Sequence, residues 1–356
     1  MKQIYSNGRQ QYSNHHRLRT MQKLTLFLLT TLFLLACNDQ DKGPDLKGKE
    51  VKMPLERFEQ QFFAIDSNQL ANGLKGVMAK YPDFYPVFMR NILGVSGNPD
   101  EEATQQVSLM FLRGYAAVAD SLRQKFGDFK KVQAEIETGF SYLKYYFPEY
   151  QPGKLITFVG PFDAPGVALV DKGLAIGLQQ YAGKDFPVYQ VLDEQQLFPK
   201  YISRRFEPQY IPVSCLNAAL GEMIPDSTIG RPLIEQVVEK GKRWYLLDKL
   251  LPKTEDSIIT GYTLKQLAWC EENEGNIWSY LTQNEDLNSI DPVVMQTYIG
   301  ESPFTQGMPE ASPGNIGQWI GWQIVKKYAA DHKTALRDIL KMDARKLLEE
   351  AKYKPK

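Results

Sequence analysis

The stretch ASPGNIGQWIGWQIVKKYA, residues 311–329, puts two glycines one helical turn apart inside a run that otherwise reads as helix. Ser312 can cap that helix and Pro313 fits its first position, where no backbone donor is missed. Ile316, Ile320 and Ile324 then recur every four residues as one apolar row, and Gly317 and Gly321 make an adjacent row without side chains. Two glycines within a helix cost roughly 1 kcal/mol each relative to alanine, so the close approach of another backbone must offset them. A second element is therefore required against this face, with Trp319 and Trp322 flanking the contact. An exposed tryptophan platform is the competing reading. Gly314, Gly317 and Gly321 run G-x-x-G-x-x-x-G, which is neither G-x-G-x-x-G nor a loop ending in Gly-Lys-Ser/Thr, and no strand leads into them. The spacing argues against a phosphate-binding loop.

At the other end, MQKLTLFLLTTLFLLACNDQDKGPD combines a basic start, an uncharged run over residues 24–36 and a cysteine directly after it. The run is too short to span a bilayer as a helix, which takes roughly 20 apolar residues, and has the length of a signal-peptide core. Leu34-Leu35-Ala36-Cys37 resembles the bacterial lipobox, with Leu35 where a small residue is more usual. That resemblance implies cleavage before Cys37, diacylglycerol on its sulfur and a fatty acyl chain such as palmitate on its amino group. Several chains on one residue anchor stably where a single one binds marginally. Residues 1–36 thus read as a lipoprotein signal peptide, with Met21 as an alternative start because the residues before it are polar and basic. Residues 37–50 read as a charged, flexible tether. Residues 51–356 read as one large domain with no second linker, repeat or low-complexity tract.

Composition narrows the chemistry. Cutting away residues 1–36 removes five bases, Lys2, Arg9, Arg17, Arg19 and Lys23, and no acid, which leaves 37 bases against 42 acids and a net charge of −5. That balance argues against nucleic acid as a partner. The same cut removes His15 and His16, so His332 is the one histidine left, in the charged run KKYAADHKTALRD, where a solvent-exposed position is expected. One imidazole gives no basis for a histidine metal site or for Ser-His-Asp or Cys-His catalysis, and no cofactor is implied. Once Cys37 is lipidated, Cys215 and Cys270 remain as the two thiols. Their spacing and apolar neighbours are compatible with a disulfide and with two buried free thiols.

Helical patterns dominate the domain. Apolar residues recur at three and four positions in ERFEQQFFAI and NQLANGLKGVMAKY, over residues 101–125, and in KKVQAEIETGFSYLKYYF. Further helices are predicted over 213–223, 231–251, 263–283, 312–330 and 334–351. KLITFVGPF and GVALVDKGLAIGL are short, rich in β-branched residues and bounded by Gly and Pro, so they read as strands able to pair as a hairpin through GPFDAPG. The sum is an α+β fold, predominantly helical with a small β-sheet.

RFEQQFF, KYPDFYPVF, KYYFPEY, GLQQYAGKDFPVYQ, VVEKGKRWYLLDKLLP, GYTLKQLAWCEENEGNIWSYL and SPGNIGQWIGWQIVKKY, closing with AKYKPK, fall in this order over nearly the whole domain. Together with the lipobox they resemble the gliding motility lipoprotein family GldB of the Bacteroidota. The resemblance implies a membrane-anchored envelope protein facing the periplasm, needed for gliding and linked to type IX secretion. Such a protein works through contacts with other envelope proteins and has no described catalytic activity. A more distant likeness is to gluzincin zinc peptidases, which carry H-E-x-x-H on one helix and a Glu on a later one. Glu239 in VEKGK resembles that third ligand, while IPVSCLNAALGEMI, where the histidines would lie, has none. The likeness implies a degenerate zincin-like peptidase fold, a pseudoenzyme whose old cleft persists as a docking surface. Candidate residues for that surface are Glu239, Lys242, Glu274, Trp319 and Trp322. Two other functions are compatible with the residues. A cell-wall hydrolase could be built on Glu239, Glu271, Glu272 and Glu274, provided two acids stand about 5 to 9 Å apart. Glycan binding could use Tyr145, Tyr146, Phe147 and the two C-terminal tryptophans.

Overall fold

Four short strands form one mixed sheet: β1 (Leu55–Arg57), β2 (Lys154–Phe158), β3 (Val167–Val170) and β4 (Gly173–Gly177), in the order β1-β2-β4-β3. The computed structural model describes residues 43–356, so the expected signal peptide, Cys37 and the first part of the tether lie outside the described residues. β2 runs parallel to β1 and to β4, and β3 runs antiparallel to β4. The expected hairpin between KLITF and VALV does not form. GVALVDKGLAIGL instead folds back on itself at Asp171-Lys172, and its more apolar half, β4, takes the buried place beside β2. Gly173 permits the close approach: at φ +153° a Cβ there would stand 1.9 Å from the Lys154 carbonyl oxygen.

Alternate residues of the central strands serve two cores. Ile156, Phe158 and Ala175 face the smaller one, while Leu155, Leu174 and Ile176 face the larger. Both faces are covered, which is why these strands read as unbroken apolar runs. The smaller core is aromatic. It is built by α1 (Phe58–Phe62), α2 (Leu70–Lys80), a π-helical turn at Phe88–Ile92 and α3 (Glu102–Gly114), with Phe58 and Phe88 at 4.8 Å and Phe62 and Phe111 at 6.2 Å between ring centroids. Beyond it come α4 (Ala116–Lys125) and α5 (Lys130–Tyr146). After the sheet follow α6 (Pro187–Glu194), α7 (Ile211–Met223), α8 (Leu233–Leu250), α9 (Asp256–Thr260), α10 (Leu264–Glu272) and α11 (Glu274–Asn284). The chain closes with α12 (Pro292–Tyr298), α13 (Ile316–His332), α14 (Leu336–Lys341) and α15 (Ala344–Ala351). The larger core runs from the sheet, against which α7 packs, through α5 to α8, α13 and α15, which pack on one another. The fold is α+β and mostly helical, and residues Pro44–Lys356 cluster as one compact unit.

Several helices differ from the sequence pattern at identifiable residues. ERFEQQFFAI begins as strand, because Glu56 and Arg57 pair with Ile156 and Thr157 before α1 starts. The helix read over 101–125 breaks at Tyr115, just after Gly114, where the ring turns to stack on Phe111 at 4.6 Å. The one read over 263–283 starts at a capping box formed by Thr263 and Gln266 and breaks at Asn273, whose side-chain amide donates to the Trp269 carbonyl at 2.8 Å. Ser312 does not cap α13: its hydroxyl accepts from the Thr305 amide at 3.3 Å, and the helix begins only after Asn315, which is in the left-handed region at φ 49°. The last predicted helix is two, since Asp343 leaves the helix to cap α15 at the Lys346 amide (3.0 Å).

The tether reading is also shortened at its C-terminal end. Leu46 packs on the larger core and Lys49 Nζ lies 4.5 Å above the Tyr145 ring. The segment is then pinned to α5: the Val51 amide donates to Ser141 Oγ (2.8 Å), and Glu137 accepts from the Met53 amide (3.0 Å) and from Lys52 Nζ (2.8 Å). Burial disfavours the ionised Glu137 carboxyl, but Lys52 and the Met53 amide outweigh it and the net direction is downward. A carboxyl lowered in the folded state stabilises above its unfolded value of roughly 4.3, and that stability is lost as pH falls through the folded value. Glu137→Gln should therefore flatten the acid limb of the stability profile and speed hydrogen exchange at the Met53 amide. An unchanged acid limb would count against the pinning role.

Candidate functional site

The glycine row on α13 meets its counterpart on α8. A Cβ on Gly321 would stand 1.9 Å from the Val237 carbonyl oxygen, and one on Gly241 would stand 2.0 Å from the Gly321 carbonyl carbon. Gly317 is tight as well, 2.8 Å from the Tyr298 carbonyl oxygen. The two backbones touch with nothing between them. Trp322 packs edge-on against Trp244 at 6.0 Å between centroids, and Lys326 Nζ lies 3.4 Å above the Trp322 ring. Trp319 and Trp322 are 2% and 0% exposed, so they hold this crossing together and form no surface platform.

The crossing fixes one wall of a cleft of about 760 Å³. Glu239, Lys242, Arg243 and Leu246 lie on one side of α8 at helical spacing and face it. α7 contributes Val213, Ser214 and Asn217, so the segment read as the place of the missing histidines does share a cleft with Glu239. The loop at residues 224–231, the end of α14 and residues of α9 close the remaining sides. Lys242 is buried to 2% exposure, with Nζ donating to Glu239 Oε1 (2.8 Å) and to the Met342 carbonyl (2.5 Å), so one ammonium ties α8 to the α14–α15 turn.

Other charges around the cleft are organised in pairs. Arg205 grips Glu301 through both terminal nitrogens at 3.0 and 3.2 Å. Burial disfavours the ionised form of Asp226, but Lys240 Nζ at 2.5 Å and Thr228, through its hydroxyl (2.5 Å) and amide (2.9 Å), outweigh it and hold the carboxyl down at about 2. Arg243 donates from Nη2 to the Ile224 carbonyl at 2.8 Å, and burial lowers its guanidinium, with Asp226 acting the other way.

Of the residues predicted for this surface, Glu239 and Lys242 line the cleft. Glu274 does not. It accepts from the Tyr353 hydroxyl at 2.6 Å, where burial and then the carboxylate push the phenol well up, and it anchors the C-terminal segment to α11. Glu271 and Glu272 are exposed at the end of α10 and are not among the cleft residues. Tyr145 and Tyr146 are half-buried and pack edge to face at 5.1 Å, Lys49 lies over the Tyr145 ring, and Phe147 is buried. Cys215 and Cys270 are both buried free thiols, and burial pushes each one up. His332 is exposed and stacked on Tyr328 at 4.4 Å.

Among the described residues no three His, Cys, Asp or Glu side chains are placed to hold a metal ion. No helix among them is long and apolar enough to cross a membrane. Sequence reasoning missed Gly241 as the partner of the glycine row, although a glycine inside the VVEKGKRWYLL helix carried the same signal. It also missed Arg205, Asp226, Arg231, Arg243 and Lys341, which are scattered along the chain and come together only through the fold.

No curated protein and no solved structure matches the chain. A family model described as gliding motility protein GldB matches residues 39–355, which takes in the sheet, both cores and every wall of the cleft. By the extent of that match the chain belongs to the GldB family of gliding motility proteins.

Proposed function

We propose that the chain is a non-catalytic, lipid-anchored envelope protein that serves gliding motility and the associated type IX secretion machinery by docking partner proteins in the α7–α8 cleft. The observation that carries this reading is the family match across residues 39–355, with the Leu34–Cys37 lipobox immediately before it. The lipobox supports anchoring at Cys37 with the body facing the periplasm. The use of the cleft's acids supports docking over catalysis: Glu239, Asp226 and Glu301 are held by Lys242, Lys240 and Arg205, and Asp343 caps α15. A general acid or base needs a proton to exchange with substrate, and a carboxylate locked to a neighbouring cation is poorly suited to that.

Deleting the gene, or changing Cys37 to Ala, should abolish spreading of cells on a surface and lower surface export. Normal spreading in both strains would sink the proposal. Release of products from peptidoglycan or peptides by the purified chain, lost on Glu239→Gln, would replace docking with hydrolysis.

A further inference from the structure

We propose that the α7–α8 cleft takes an acidic peptide segment of the partner, with carboxylates meeting its bases and apolar side chains meeting its walls. The inference rests on the docking role and gives the partner its chemistry. Six bases line the cleft, Arg205, Arg231, Lys240, Lys242, Arg243 and Lys341, against four acids. Every one of those acids is engaged within the chain, three in ion pairs and Asp343 in capping. Among the described residues, Arg231, Arg243 and Lys341 have no carboxylate at ion-pair distance, and Asp226, already paired with Lys240, acts on Arg243 only from further off. The rest of the chain after residue 36 carries an acidic excess, 38 acids against 31 bases, so the cleft is opposite in sign to the chain as a whole.

Arg243 makes the demand for an anion specific. Its Nη1 is buried and has no acceptor, while Nη2 is fixed on the Ile224 carbonyl. An unmade hydrogen bond on a buried guanidinium is costly, and an incoming carboxylate oxygen would relieve it.

The spread of the bases selects an extended ligand. Arg231 precedes α8 and Arg243 sits near its middle, so they are separated by roughly 15 Å at 1.5 Å of rise per residue. Lys341 comes from a different helix, at the end of α14. One compact anion cannot reach all three. A chain with carboxylates at intervals can, and Tyr210, Ile224, Trp244, Leu340 and Met342 offer apolar wall for the side chains between them.

The test uses the full chain in detergent and fluorescence anisotropy of a labelled peptide of glutamates spaced by leucine and glycine. The same peptide with glutamine for glutamate, and inorganic phosphate as competitor, are the other arms. The glutamate peptide should bind, weaken with salt, and lose about tenfold or more in affinity on joint Arg231→Glu and Lys341→Glu substitution. Both of those residues are exposed, so the fold is not at stake. Equal binding of the glutamine peptide, displacement by phosphate at the same concentration as by unlabelled peptide, or unchanged binding by the variant would overturn the inference. Failure of the peptide to bind while the double variant still stops gliding would remove the acidic ligand and keep the docking role. Peptide binding with normal gliding of the variant would keep the site and remove its part in motility.

Discussion

Gly321→Ala should destabilise the protein by about 3 kcal/mol. On an isolated helix the same change stabilises by about 1 kcal/mol, so the sign itself is diagnostic. The new Cβ would meet the Val237 carbonyl at 1.9 Å, and backbone cannot turn aside as a flexible side chain can. The helices must separate, and the Trp322–Trp244 edge contact opens with them. Gly241→Ala should cost a similar amount, since its Cβ would fall 2.0 Å from the Gly321 carbonyl carbon. The double variant should cost far less than the two singles together, because one separation of α8 from α13 accommodates both methyl groups. Urea unfolding with an unchanged m value measures all three. Additive costs, or a gain in stability from either single change, would refute the backbone-to-backbone contact.

Lys242→Met should cost about 2 kcal/mol, and Glu239→Gln at least about as much. Both costs follow from what each side chain leaves behind. Removing the ammonium strands the Met342 carbonyl and a carboxylate that is only 27% exposed, although methionine fills the same space. Removing the charge of Glu239 keeps an oxygen that accepts from Lys242 but leaves that ammonium, 3% exposed, without a countercharge. Because Lys242 joins α8 to the turn between α14 and α15, its loss should also raise hydrogen exchange in α15 ahead of the rest of the molecule. A cost for Glu239→Gln no larger than that of an exposed pair, under about 0.5 kcal/mol, would mean that the ammonium does not depend on the carboxylate.

Local pattern carried the fold class and most helices, because the apolar stripes of α5, α7 and α8 repeat without interruption. The stripes also hid the breaks. At Tyr115, Asn273 and Met342 the apolar period continues across a turn, so only side-chain choices such as the Asn273 amide on Trp269 reveal it. β1 is three residues long and its partner is distant in sequence, which leaves no local trace. The glycine row announced a close contact but not its other half, since Gly241 also suits a zinc-peptidase likeness. At the cleft, Glu239 and Lys242 were legible as one turn of one helix, whereas Glu274 was drawn in by its acidic neighbours and belongs with Tyr353.

The register of Leu55 with Leu155 has a kinetic consequence. A ribosome adding about 5 to 20 residues per second leaves β1 waiting about 5 to 20 seconds for its mate. Closing a loop of that length also costs about 4 kcal/mol of chain entropy before any contact rewards it. Until β2 arrives, Phe58, Phe62, Phe84 and Phe88 have no Ile156 or Phe158 to close over them. The aromatic smaller core thus stays open until β2 and β4 have been made, and over that interval its rings are the sticky surface that needs covering.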